Sequence, residues 1–145
     1  MAEQRTAGKN ATHTDLKFSR QRAAILANVR SRKDHPTADM VYSSLKEDYP
    51  KLSLGTVYRN LSLLSEMHEI RRLHCGDGTE HYDGDISDHD HFICTGCGRI
   101  IDLFKDAVTM SDAELPTHRD IAKIIYRSVI YYGICTTCGT GEAQI

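Results

Sequence analysis

Two short cysteine pairs constrain this chain more than anything else in it. Cys94-Thr-Gly-Cys97 and Cys135-Thr-Thr-Cys138 are C-x-x-C pairs with 37 residues between them. Four thiolates presented on two tight turns match a tetrahedral structural zinc site, whose zinc–sulfur bonds are about 2.3 Å long. The glycines that follow the pairs, Gly98 and Gly139, suit the knuckle turns that wrap such an ion. A single pair would leave a redox dithiol open, whereas two favour zinc. The chain must then bring the stretch near residue 135 back to the stretch near residue 94. That closure staples a unit too small to hold itself by core packing alone. The fifth cysteine, Cys75, stands apart and reads as a small buried or half-buried thiol.

The 145 residues suffice for two small units, and 40% hydrophobic with 26% charged residues fits a soluble globular protein. No apolar run reaches eighteen residues, so no membrane-spanning helix is expected. The first fifteen residues are polar and lack the apolar block of a secretory signal. A cytoplasmic location follows as the expectation, and with it metal ligation rather than disulfides. The net charge of -2 conceals two unlike halves. Residues 1–74 carry thirteen Lys/Arg against eight Asp/Glu, and residues 75–145 carry five against twelve. A basic front half is what a phosphate-binding module needs, although an excess this small is also ordinary solvated surface.

The apolar spacing supplies the elements of that front half. Phe18, Ile25, Leu26 and Val29 predict a helix over about 20–31 with Ser19 as its N-cap. Thr37 is placed to cap a second helix carrying Ala38, Val41, Leu45 and Tyr49, ended by Pro50. Ser53 is placed to cap a third, with Leu54, Val57, Leu61, Leu64 and Met67 as its buried stripe and Thr56, Arg59 and Asn60 displayed on the other face. Extended runs 70–74 and 79–83 flank Cys75-Gly76-Asp77-Gly78 and predict a hairpin. Three helices and a hairpin make a winged helix-turn-helix, with the third helix entering the major groove and the hairpin as wing. Beyond it, strands are expected at 91–94 and 99–104, a helix at 106–115 and a long apolar strand at 121–135. The fold class is therefore α+β, a winged helix-turn-helix followed by a small α/β unit with a four-cysteine zinc site. The expected divisions are a flexible arm over 1–14, the winged helix over 15–83, a hinge with metal ligands over 84–90 and a dimerisation unit over 91–145. The last unit has little of its own chain to pack its apolar strand against, which suggests a second copy as partner.

A second metal site is expected beside the zinc. His89-Asp90-His91 precedes the first cysteine pair, and residues two apart on an extended segment face the same side. Asp83 lies six residues earlier, Asp102 lies on the next strand, and His35 opens the second helix. Nitrogen and carboxylate donors in that mixture favour a borderline divalent ion such as iron(II), manganese(II) or zinc, with a coordination position left open. Taken singly, His89 and His91 could equally be solvated histidines in an acidic loop. The other histidines, His81 among them, show no partner spacing.

The chain resembles the ferric uptake regulator family of metal-dependent repressors over about residues 16–138. The resemblance is carried by Gln21-Arg22, His35-Pro36-Thr37-Ala38-Asp39, Leu54-Gly55-Thr56-Val57-Tyr58-Arg59-Asn60-Leu61, His89-Asp90-His91-Phe92-Ile93-Cys94, Cys97-Gly98, Ile101-Asp102 and Tyr132-Gly133-Ile134-Cys135. It implies a homodimer bound to an inverted repeat in double-stranded DNA. Within the family the match is to the peroxide-sensing branch, whose regulatory His, Asp, His, His, Asp set falls on His35, Asp83, His89, His91 and Asp102. By the same resemblance iron(II) or manganese(II) would occupy that site. Iron with peroxide would convert His35 or His89 to 2-oxo-histidine and relieve repression of oxidative-stress and metal-homeostasis genes. Tyr58 and Arg59 would contact the major groove, with Thr56 and Asn60 beside them. Lys17 would reach the minor groove or its phosphates. Arg20 stands where relatives have proline and adds a cation near DNA. Arg127 stands where many relatives have a histidine ligand for a further site, so two metal sites per chain are expected.

The nearest alternative is an iron, manganese or zinc uptake regulator that responds to metal level without peroxide chemistry. An enzyme is not expected. A zinc deaminase would need an H-x-E motif, and His89-Asp90-His91 offers no glutamate. A purely structural zinc module would leave the polar face of the third helix without a purpose.

Overall fold

The computed structural model describes residues 13–104, 116–125 and 127–140, with the side chains of 13–16 left aside. The expected helix at 106–115 lies outside the described residues. The element order is α1 (His13–Ser31), α2 (Ala38–Leu45), α3 (Leu54–Glu66), β1 (Arg71–His74), β2 (Glu80–Asp83), β3 (His89–Cys94), β4 (Ile100–Phe104), β5 (Ile130–Gly133) and α4 (Thr136–Gly139).

The three front helices and the hairpin form as their sequence predicts, with corrections at the edges. Helix α1 already runs through Ser19 from His13, the first described residue, so Ser19 is not its N-cap. Nothing between 13 and 31 is proline or glycine, and Arg20 keeps the amide that proline would remove. Its apolar stripe is shorter than expected, because Ile25 and Val29 are fully buried but Phe18 is 42% exposed. Thr37 caps α2 by accepting from the Met40 amide at 3.3 Å. That helix stops at Leu45, short of Pro50. Glu47 and Asp48 would place negative charge at its negative pole, and Lys46 reaches forward to the carbonyls of Pro50 and Leu52. Ser53 caps α3 by accepting from the Thr56 amide at 3.1 Å. Met67, expected in its buried stripe, is the C-cap and lies exposed.

Ile25, Val29, Val41, Leu52, Val57, Leu61, Leu64 and Ile70 form the first core, and Tyr82 of β2 is fully buried among them. Strands β1 and β2 pair antiparallel around the Gly76–Gly78 turn, and both of those glycines have positive φ. A separate three-stranded sheet has the order β4-β3-β5, with β3 antiparallel to β4 and parallel to β5. The long strand expected at 121–135 is reduced to four residues. The Ile121 and Ile125 side chains ahead of it are exposed, the latter by 87%. A six-residue β3 offers a partner only to the last part of that segment.

A second apolar cluster joins Leu73 and Cys75 of the hairpin to Ile93, Ile100 and the half-buried Ile130 of the sheet. Cys75 is thus buried, as expected, and burial pushes its thiol up to about 11. The hairpin therefore serves two cores, with Tyr82 in the first and Leu73 and Cys75 in the second.

Candidate metal centres

In the sheet, the zinc cradle forms from the two expected turns. Gly98 takes φ 73, and its amide donates to the Cys94 carbonyl at 2.8 Å. Gly139 closes the second turn within α4, donating to the Cys135 carbonyl at 2.8 Å. Cys94, Cys97, Cys135 and Cys138 bring their sulfurs within 4.8 Å of one another. The Cys97 and Cys135 sulfurs are 3.8 Å apart. Two corners of a tetrahedron around an ion at about 2.3 Å lie about 3.8 Å apart, so the spacing fits zinc. Gly96 is part of the cradle, since a Cβ there would meet the Cys138 sulfur at 3.1 Å. The Cys135 amide donates to the Cys94 sulfur at 3.2 Å. That bond leads the causes that lower the Cys94 thiol to about 6. Hydrogen bonds to Cys135, Cys97 and Cys94 push Cys138 up to about 12. Metal binding displaces the thiol protons that remain.

The second centre is assembled around strand β3, which buries His89, Asp90 and His91 at 3%, 7% and 2% exposure. Burying three such side chains in a row is costly unless they are paired. The β3–β4 register sets Asp102 directly opposite His91, and β2 ends on Asp83. The Nε2 atoms of His89 and His91 lie 2.9 and 3.0 Å from Asp83 Oδ2. They lie 3.2 and 3.4 Å from Asp102 Oδ1. From the helical half, His35 Nε2 lies 2.7 Å from Asp102 Oδ1 and 3.6 Å from Asp83 Oδ2. All five expected donors meet. His35, Asp83, His91 and Asp102 bring ligand atoms within 4.8 Å of one another, and His89 joins them through both carboxylates.

The surroundings suit ligation. His89 donates its Nδ1 proton to the Ser87 carbonyl at 2.7 Å, which leaves the Nε2 lone pair facing the cluster. Asp83 Oδ1 accepts from the Asp85 amide at 2.8 Å while Oδ2 meets the imidazoles. Burial raises the Asp83 carboxyl, but the neighbouring His35 and His91 imidazoles outweigh it and hold the group well below the usual carboxylate range. Burial lowers His35, and here too the bond to Asp83 and the charge of Asp102 prevail and raise it. Two carboxylates suit the charge of a divalent ion, and three imidazoles set its borderline character.

The nucleic-acid face is only partly as read from sequence. Tyr58 is 44% exposed, and Arg59, Lys17 and Arg20 are exposed as well. Thr56 and Asn60, expected on that face, are buried at 7% and 5%. Asn60 accepts from Arg22 Nε of α1 at 3.0 Å and donates to the Thr56 carbonyl at 2.9 Å. Positions 56 and 60 flank the Val57–Leu61 stripe closely enough to be buried with it, because a core-facing stripe is wider than a strict 3.6-residue line. Sequence reasoning also passed over His81, whose ring bonds the His35 carbonyl at 3.0 Å, and Phe104, which stacks 5.0 Å from the His89 ring. The alternation that pairs His89 with His91 pairs His81 with Asp83 equally.

A helical triad with a hairpin wing, a four-thiol cradle and a buried cluster of three histidines and two aspartates define a zinc-stapled winged-helix protein with a second, mixed-donor metal centre. The chain belongs to the ferric uptake regulator family, whose model matches residues 13–132. It is 33% identical to the peroxide operon regulator of Bacillus subtilis over 129 residues, 89% of this chain and 88% of the relative. It is 32% identical to the peroxide-responsive repressor PerR of Staphylococcus aureus, covering 85% of this chain and 82% of that one. Among solved structures, the Campylobacter jejuni peroxide stress regulator superposes with a TM-score of 0.69 at 30% identity, covering 86% of this chain and 93% of that chain. The ferric uptake regulator of Helicobacter pylori, described as having three functional metal binding sites, shares the fold with a TM-score of 0.66 at 21% identity, covering 86% and 83% of the two chains. The described residues of this chain hold two such clusters.

Proposed function

We propose that this chain is a dimeric, metal-gated transcriptional repressor that reports hydrogen peroxide through oxidation of its own histidines. The observation that carries the reading is the joint origin of the second centre. His35 enters from the loop between α1 and α2, Asp83 from the end of the wing, and His89, His91 and Asp102 from the sheet. An ion bound by all five fastens the helical half to the sheet half and favours one relative orientation. Ligands that bind one orientation more tightly shift the population toward it, so metal and DNA affinities are linked.

Each residue then has a role. Asp83 and Asp102 offset the charge of the ion, and the three imidazoles complete the donor set. Zinc at Cys94, Cys97, Cys135 and Cys138 holds β3 and β5 in register, so the donors stay aligned when the regulatory site empties. Iron(II) bound there would catalyse the break of the peroxide O–O bond, with one oxygen passing to the imidazole of His35 or His89, the other leaving as water, and peroxide acting as the two-electron oxidant. The altered ring is a poorer donor, the clasp between halves weakens and the DNA is released. Manganese(II) in the same donors sustains repression without that chemistry.

Arg59 and Tyr58 project from the middle of α3, where base edges in the major groove fall, and Lys17 and Arg20 line α1 for phosphate contact. The inverted repeat would set two such helices about 34 Å apart on one DNA face. Exposed Ile125, Tyr132 and Ile134 give the sheet half an apolar surface for a second copy. On this reading the divisions are 1–14, 15–83, 84–90 and 91–145, and the described part of α1 begins within the first. No described helix is long and apolar enough to cross a membrane, and we place the regulator in the cytoplasm with its DNA.

The test is mass spectrometry of the iron(II)-loaded protein before and after peroxide. Peptides holding His35 or His89 gain one oxygen only when iron and peroxide are both present. Without that gain, and with metal-dependent DNA binding intact, the chain senses metal level alone.

A further inference from the structure

The regulatory cluster depends on a left-handed residue. His35 has φ 52, a region that residues carrying a Cβ seldom enter, and Pro36 disfavours the right-handed helical alternative. Something must hold that peptide in place, because its orientation aims the imidazole at Asp102 and Asp83. Strand β2 does so through two successive contacts. The Tyr82 amide donates to the Pro36 carbonyl at 2.9 Å, and His81 Nδ1 donates to the His35 carbonyl at 3.0 Å. The other face of the His81 ring is anchored as well, with Nε2 2.9 Å from Asp77 Oδ2 in the wing turn. Asp77 is itself fixed, accepting from the Thr79 amide at 2.9 Å through Oδ1.

We infer that His81 is a positioning residue for the regulatory metal, holding the His35 carbonyl from the wing turn so that the imidazole of His35 points into the donor cluster. The inference rests on the reading of that cluster as a metal site. His81 offers no atom to the ion. Its neighbour two places on, Asp83, is the carboxylate ligand, so one strand face delivers both a donor and the clamp for a donor from the other half of the molecule. The wing turn, Asp77 to Thr79, thereby becomes connected to the metal through two hydrogen bonds and one ring. A wing pressed against DNA and a filled metal site would stabilise the same arrangement of His81.

The experiment uses the full chain loaded with zinc and titrated with manganese(II), followed by the paramagnetic resonance signal of the free ion. His81→Leu removes the donor and keeps the bulk. His81→Asn places an amide N–H where Nδ1 stood. The expected result is a loss of manganese affinity of about tenfold or more in His81→Leu, the usual effect of losing a group that orients a ligand, with His81→Asn within about threefold of the parent. Asp77→Ala keeps the Nδ1 donor and, like His81→Asn, stays within about threefold of the parent. Unchanged affinity in His81→Leu, or equal losses in the leucine and asparagine variants, overturns the inference. If the unaltered protein shows no manganese binding that His91→Ala abolishes, the metal-site reading itself fails and takes this inference with it.

Discussion

Gly84 follows the ligand Asp83 and passes against the end of α1. A Cβ added there would lie 2.5 Å from the Arg30 Cα, 2.8 Å from the Arg30 amide nitrogen and 2.8 Å from the Val29 carbonyl oxygen. All three are backbone atoms, so no side-chain rotation relieves the contact. Reaching an ordinary separation of about 3.5 Å requires the chain to move by about 1 Å. Overpacking of this kind costs about 1–3 kcal/mol, which at a few degrees per kcal/mol lowers the melting temperature of the zinc-loaded protein by roughly 4–12 °C. The same shift displaces Asp83, whose Oδ2 sits 2.9 Å from His89 and 3.0 Å from His91. Gly84→Ala is therefore expected to lose both stability and manganese affinity, the latter by about tenfold, since metal sites tolerate ligand displacements of only a few tenths of an ångström. Thermal unfolding and manganese titration on one preparation read both. A variant that melts with the parent and binds manganese equally would show that α1 does not press on the hinge.

Gly55 provides the opposite expectation. It lies inside α3, and an added Cβ would meet only the flexible Arg59 guanidinium at 3.6 Å, so Gly55→Ala should stabilise by roughly 0.5–1 kcal/mol in denaturant unfolding. Cys97→Ser should remove zinc, measured by atomic absorption. It should also abolish cooperative melting of the sheet half, because the link between β3 and β5 depends on that ion. Manganese affinity should fall as pH drops from about 8 to 6. Against the lowering effect of burial, Asp83 and Asp102 raise His35, and a protonated imidazole has no lone pair to give. Asp83 stays ionised throughout, so a pH-independent affinity would contradict the imidazole ligation.

Much of the fold was legible because its signals are local. The Thr37 and Ser53 caps, the stripe Val57-Leu61-Leu64 and the Gly76–Gly78 turn each follow from spacing within a few residues. Cysteine spacing sufficed for the zinc cradle, and strand alternation for His89 with His91. His35 and Asp102 entered with less force, since nothing local brings positions 67 residues apart to one hydrogen bond. What stayed hidden depended on the packing of one element on another. Thr56 and Asn60 are polar and read as surface, but Thr56 is buried against the Ser53 and Arg59 side chains, and Arg22 of α1 satisfies Asn60. Tyr132 and Ile125 are apolar and read as parts of one long strand, but β3 is too short to pair with the whole segment. His81 looked solitary because its partners are a carbonyl and a turn carboxylate, neither visible as a ligand pattern.

The central claim is that one ion joins the two halves and thereby sets DNA affinity. It is tested most directly with duplexes selected from a random pool by the manganese-loaded protein, comparing affinity in manganese and in chelator for the parent, His35→Ala and Asp102→Ala. One variant removes a donor from the helical half and the other a donor from the sheet. The account predicts that both lose the manganese-dependent gain to a similar degree while keeping the weak affinity seen in chelator. If His35→Ala kept the full gain while Asp102→Ala lost it, the ion would be held by the sheet half alone, and the account would be contradicted.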